Sequence, residues 1–385
     1  MEGSEEDEVL PEASVEKGEE DATEEPPIPE MDLATKIEFA PEAVDPEEMP
    51  LVPSEEDVTI FNSSLDVTTL TPHDISGRVE TFFYGKIDDT IRHATQWQPK
   101  SGDVVCAAPS RCGQSMVLRW IDQLRKHGEP LTIADEIPWI ESKYVEDNRE
   151  WLNKDQPGNF RLFKTHQSCR NLKGRIHEHK DVKFITILRE PVDFELAWYM
   201  YLEKCYETDR KKFPGRPEFS ALFKPDDFVE QRVTMCHNPI FGKISYEINL
   251  LDWFHLRDEK NVLVLFYEDL VKDGAKVLKQ IGDFLDEEYD IDLINKIVST
   301  EEHQKAIELY DAYHVFNPED LTVGKGKDVL HEKSIRFLEE RWKKAMKQQK
   351  LDVEDYEQMY MACHDGNINS VKTIKAPSKT ICTIS

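Results

Sequence analysis

Nowhere in the 385-residue chain is there a run of about 18 apolar residues, so no segment is expected to cross a bilayer as a helix. A basic leader is missing as well, because the first residues are acidic, the reverse of a secretory signal. Paired cysteines are absent. The seven present (Cys106, Cys112, Cys169, Cys205, Cys236, Cys363 and Cys382) show no C-x-x-C and no metal-ligand spacing, and their number is odd. That excludes a disulfide scaffold or a zinc knuckle and fits reduced thiols in the cytosol. His177-Glu-His179 lacks further spaced ligands and is read as part of a solvated face. Cationic residues are in deficit, 48 Lys and Arg against 77 Asp and Glu. A soluble cytoplasmic protein is expected, with neither nucleic acid nor membrane as partner.

Most of the net charge of −29 sits at one end: residues 1–50 hold 19 acidic residues and two lysines, −17, which leaves −12 for the rest. Residues 1–57 are also Pro-rich and poor in aromatics, with too little apolar surface to offset the entropy of ordering, so a disordered acidic tail is expected there. Residues 58–352 carry the periodic apolar groups of one large domain, and 353–385 turn polar and mixed, as a partly ordered tail.

Within the domain, Asp103–Ala107, Phe160–Lys164, Lys183–Leu188 and Asn261–Phe266 are short apolar runs bounded by turn or charge signals, hence strands. Helical spacing separates them. In Gly113–His127, Val117, Trp120, Ile121 and Leu124 form a stripe toward the core, and Arg119, Asp122, Gln123 and Arg125 are expected to face out. Asp193–Cys205 and Ala275–Leu285 are further helices. Alternating strands and helices predict a single α/β domain with a mainly parallel central sheet flanked by helices. Ligands then bind beyond the carboxyl ends of the strands.

The turn at one such end is Pro109-Ser-Arg-Cys-Gly-Gln-Ser115-Met116, which runs from an apolar strand directly into a helix. Unpartnered N–H groups at a helix start, reinforced by the helix dipole, suit phosphate or sulfate, and Arg111, Gln114 and Ser115 can add donors. Beside that dipole and Arg111, a lowered pKa at Cys112 would make a redox-sensitive thiol; a small residue that fits the turn is the plainer alternative. Three more strand ends carry chemistry-bearing residues: Lys164-Thr-His166, Arg189 in Leu188-Arg-Glu-Pro-Val-Asp193, and Tyr267 in Phe266-Tyr-Glu-Asp269.

From about Phe82 to Met346 the chain resembles the sulfotransferases, most closely the cytosolic type that uses 3′-phosphoadenosine 5′-phosphosulfate (PAPS). Further landmarks are Trp97-Gln-Pro-Lys-Ser-Gly-Asp103, Ile137-Pro-Trp-Ile-Glu141 and Phe241-Gly242. The resemblance implies in-line transfer of a sulfuryl group to a hydroxyl or amine of a small acceptor such as a phenol or sterol. His166 is then the general base, with Lys164 and Arg111 against the sulfuryl and 5′-phosphate oxygens. The turn residues Arg111, Cys112, Gly113, Gln114, Ser115 and Met116 would bind the cofactor together with Arg189, Ala197, Tyr267, Lys325 and Gly326. Arg189 and the Lys325-Gly326 pair would meet the 3′-phosphate, although the run Val323–Lys327 admits more than one register. The scheme requires no metal.

Departures from the family pattern are concentrated in the cofactor site. Arg111 replaces a lysine, as in the wider superfamily's carbohydrate enzymes, and Met116 replaces an aromatic that stacks on adenine. Ala197 stands for a serine, Glu301 for a threonine, His303 for a phenylalanine and Glu247 for a second histidine. The C-terminal Lys-x-x-x-Thr-Val dimer signature is missing, which leaves a homodimer open. The alternative is therefore a sulfotransferase-fold protein, weakened or inactive as an enzyme, that serves as a binding module. A nucleotide kinase is disfavoured, since the turn lacks the glycine and lysine of G-x-x-x-x-G-K-[ST].

Overall fold

A computed structural model of the chain describes residues 59–62, 64–85, 87–129, 137–142, 149–235, 245–299 and 323–364. The acidic head, Phe241-Gly242, Glu301 and His303 lie outside the described residues.

The elements used below are, in chain order, α1 (Pro72–Tyr84), α2 (Ile87–Gln96), β1 (Val104–Ala107), α3 (Gln114–Arg125), β2 (Leu162–Thr165), α4 (Cys169–Glu178), β3 (Lys183–Leu188), α5 (Pro191–Arg210), α6 (Pro225–Met235), α7 (Tyr246–Phe254), β4 (Val262–Phe266), α8 (Tyr267–Lys272), α9 (Gly274–Leu285), α10 (Lys325–Val329), α11 (Glu332–Gln348) and α12 (Tyr356–His364). Each predicted strand is present within two residues of its expected bounds. The four pair in parallel in the order β2-β1-β3-β4, with Val104 opposite both Leu162 and Lys183, and Leu188 opposite Phe266. Trp139 adds a bridge outside β2, where the Lys164 N–H donates to the Pro138 carbonyl and the Ile140 N–H to that of Lys164, both at 2.9 Å.

Because side chains alternate across a strand, the sheet feeds two cores. Val104, Cys106, Leu162, Ile185, Ile187 and Leu265 face the first, with the apolar stripes of α3, α5 and α9. Val105, Ala107, Phe163, Phe184, Leu188, Val264 and Phe266 face the second, with α4, α7, α11 and α12. Burial on both faces is why these strands appear in the sequence as continuous apolar runs.

The outward face expected of α3 is instead interior: Arg119, Asp122, Gln123 and Arg125 are 0–4% exposed. Arg125 donates through Nε and Nη2 to Asp122 Oδ1 (2.8 and 2.6 Å) and through Nη1 to Gln156 Oε1 and the Phe160 carbonyl (2.8 Å each). Lys126 Nζ lies 3.1 Å from Asp122 Oδ2. The segment before β2 covers this face, a long-range event that helical periodicity does not encode. Breaking such a pair strands a buried charge. Asp122→Ala is expected to destabilise the fold by about 3–5 kcal/mol, seen as a lower urea midpoint.

Beyond residue 352 the chain is not all tail, since α12 packs on the second core and buries Tyr356 and Met359.

Candidate functional site

The four strands end at one crevice, and each end delivers a residue singled out in the sequence. Leaving β1, the chain turns through Arg111 (φ 73°) and Gly113 (φ 82°), both left-handed, into α3. Gly113 caps α3 without a side-chain bond, so the first helical N–H groups open onto the turn. Glycine is required there twice over, because a Cβ would also come within 3.0 Å of the Tyr267 ring. Tyr267, the first residue after β4, is thereby the wall against which the turn rests.

Three cations meet around this turn. Arg111 lies 4.0 Å over the Tyr201 ring, Arg189 3.9 Å over Tyr267, and Lys164 4.0 Å over Trp139. Arg189 Nη1 donates to the Arg111 carbonyl at 2.6 Å, which ties the end of β3 to the turn. The Nε groups of Arg111 and Arg189 are buried and have no hydrogen-bond partner among the described residues. Donors of this kind fit a ligand rich in phosphate or sulfate oxygens.

His166 follows β2 and is buried. Its Nδ1 lies 2.7 Å from the Ala108 carbonyl, which can only accept, so Nδ1 carries the proton and Nε2 keeps its lone pair. Its backbone N–H donates to Glu141 Oε1, whose other oxygen accepts from the Thr165 hydroxyl at 2.7 Å. Trp139 meets the imidazole edge-on at 5.1 Å. Burial, then Lys164 and more weakly Arg111, holds the imidazole well below its ordinary 6.5, partly opposed by the Ala108 carbonyl. Near neutral pH the ring is therefore an unprotonated base.

Several turn residues behave otherwise than expected. Gln114 points inward, its amide donating to the Cys106 and Thr165 carbonyls at 2.8 Å each. It pins α3 to the ends of β1 and β2, and its donors are not offered to a ligand. Met116 is buried in the first core, and Ser115 is exposed. For Cys112 the expected lowered pKa is overturned: burial dominates and pushes the thiol up to about 12. A helix terminus acts on a thiol only when the charged form is not stripped of water.

On the far side of Arg189, Asp193 Oδ2 accepts the Gly324 N–H (2.6 Å) and Oδ1 that of Gly326 (2.7 Å). Half-buried Lys325 is thus held at the start of α5, and a Cβ on Gly326 would run into the Val192 backbone at 2.8 Å. Ala197 lies one turn further along α5, half-buried. Glu247 is buried and paired with Arg341 at 3.0 Å, so it adds no stray charge.

Sequence reasoning assigned no site role to Tyr201, Tyr246, Glu141 or Glu268. Tyr246 donates to the Arg189 carbonyl at 3.0 Å and stacks on Phe194 at 3.4 Å. None of the four sits directly after a strand; Glu268 comes one residue later than Tyr267, which drew the attention.

This crevice can be set beside known proteins. The sulfotransferase domain family matches residues 101–365. The 3-beta-hydroxysteroid sulfotransferase of Cavia porcellus is 27% identical over 225 residues, which cover 56% of this chain and 66% of that protein. Sulfotransferase 2A1 of Rattus norvegicus is 24% identical over 260 residues, covering 66% and 79%. Among solved structures, retinol dehydratase in complex with androsterone and the inactive cofactor PAP superposes with a TM-score of 0.53 at 15% identity, over 73% of this chain and 96% of that one. Mouse sulfotransferase SULT7A1 complexed with PAP gives 0.51 at 20%, over 69% and 91%. The structures speak for the fold, and the family match spans the turn, all four strand ends and α12. By that match, on a parallel sheet of the same architecture, the chain belongs to the sulfotransferase family.

Proposed function

We propose that the protein transfers the sulfuryl group of PAPS to a hydroxyl or amine of a small molecule, in the cytoplasm. The observation that carries this reading is the neutral, tautomer-fixed His166 held beside Lys164, Arg111 and Arg189 at neighbouring strand ends. PAPS, as co-substrate, supplies the sulfuryl group. His166 Nε2 takes the acceptor's proton, a task for a base that is unprotonated near neutrality. Lys164 and Arg111 sit where charge develops on the transferring and leaving oxygens, both half-buried and so less screened than surface cations. Arg189 offers a planar fork to the 3′-phosphate, next to Lys325 and the Asp193-bound loop. An apolar alcohol suits the acceptor side, where Phe83, Tyr84 and Trp139 pack ring to ring at 5.2–6.0 Å beside His166. The hydroxysteroid specificity in the name of the guinea-pig relative agrees with that chemistry.

A second reading, a binding module on the same fold, is favoured by the inward Gln114 amide, the buried Met116 and Ala197. Calorimetry with PAP and transfer from labelled PAPS separate the two. Binding with turnover supports the enzyme, binding without turnover the module. No binding at high micromolar PAP overturns the cofactor site altogether.

A further inference from the structure

Helix α12 grips the residues around Tyr267 at successive positions. The Tyr356 hydroxyl donates to Glu268 Oε2 at 2.9 Å, and the Tyr360 hydroxyl to Asp269 Oδ1 at 2.7 Å. Glu268 has two tasks at once: its Oε1 accepts the N–H of Glu190 at 2.9 Å, immediately after Arg189. One buried carboxylate therefore joins the residue beside Tyr267 to the residue beside Arg189, and among the described residues Tyr356 provides the side-chain hydroxyl to its other oxygen. Tyr356 is itself buried, its ring 5.6 Å from Trp342 and 6.2 Å from Phe266.

We infer that Tyr356 is a positioning residue for the crevice: by holding Glu268 in place it keeps that carboxylate off Arg189 and leaves the guanidinium to an anionic ligand. This rests on the reading of Arg189 as the 3′-phosphate cation. Burial pushes the Glu268 carboxyl above the ordinary carboxylate range, and Arg189 lies near enough to oppose that, favouring the ionised form more weakly. A buried carboxylate oxygen that loses its donor seeks another. Arg189, with a buried Nε lacking a partner among the described residues, is the cation at hand. Once engaged there, it competes directly with phosphate. The same loss need not unfold the helix, because the aromatic contacts of residue 356 survive in phenylalanine.

The test is calorimetry on the full chain with PAP and with AMP, which lacks the 3′-phosphate, alongside thermal melting. Tyr356→Phe is expected to weaken PAP about tenfold while AMP changes by less than about twofold. Glu268→Gln removes the competing charge, so adding Tyr356→Phe to it should cost no further PAP affinity, a coupling that a purely structural role would not produce. Unchanged PAP affinity in Tyr356→Phe overturns the inference, as does an equal loss for PAP and AMP. An unaltered chain that fails to bind PAP removes the cofactor reading and this inference with it. PAP binding that is indifferent to residue 356 removes this inference alone.

Discussion

Replacing His166 by alanine is expected to lower turnover by about 10²–10⁴-fold while PAP affinity stays close to that of the unaltered chain, because a general base contributes to proton transfer and not to holding the nucleotide. The pH profile gives the sharper test. A base whose pKa lies well below 6.5 stays unprotonated as pH falls through the ordinary imidazole range, so the acid limb of kcat/KM should lie well below pH 6.5. The direction follows from burial first, then from Lys164. Lys164→Met removes one of the two cations that depress the imidazole and should move that limb upward, in addition to lowering the rate. Full turnover in His166→Ala would dismiss the base and leave the fold untouched. An acid limb above 6.5 would mean that the crevice is wetter in solution than its packing indicates.

The second large effect is expected at Arg189. Arg189→Ala should weaken PAP by about 10²–10³-fold, the equivalent of about 3–4 kcal/mol, with the loss confined to ligands that carry the 3′-phosphate. Two contacts make the position more than a charge: the 2.6 Å bond to the Arg111 carbonyl and the seat on Tyr267. Arg189→Lys keeps the charge but neither the planar stacking nor the fork, so only part of the affinity should return. Calorimetry of both variants with PAP and AMP decides it. An equal loss for the two ligands would assign Arg189 to the shape of the turn and not to the phosphate.

Much of this architecture was legible before any coordinates. Strands buried on both faces must be apolar throughout, and β1 to β4 stood out for that reason. A strand end in a parallel sheet must face the crevice, so Arg111, Lys164, His166, Arg189 and Tyr267 were placed together by chain order and topology alone. Gly113 was named in the turn from the sequence, but its positive φ and its closeness to the Tyr267 ring came from the structure.

What the amino-acid order could not express was which segment covers which. Helical spacing assigned Arg119, Asp122, Gln123 and Arg125 to solvent, whereas all four are buried and the stretch carrying Gln156 and Phe160 draws the Arg125–Asp122 pair into a buried network. Local dipoles left a reactive Cys112 open beside the plainer reading of a small residue that fits the turn, and burial against Tyr246 and its surroundings, which disfavours a thiolate, agrees with the plainer one. Gln114 had the right chemistry for an anion and was given to two backbone carbonyls instead. Tyr356, about 90 residues from Glu268, became its partner only through the docking of α12. By itself, then, the sequence determined the parallel strands and the chemistry-bearing residues at their ends, because those follow from period and from charge type. Tertiary structure alone decided the protonation state of His166, the burial of Cys112 and the support of Glu268, because desolvation and hydrogen-bond partnership are properties of surroundings assembled from distant parts of the chain.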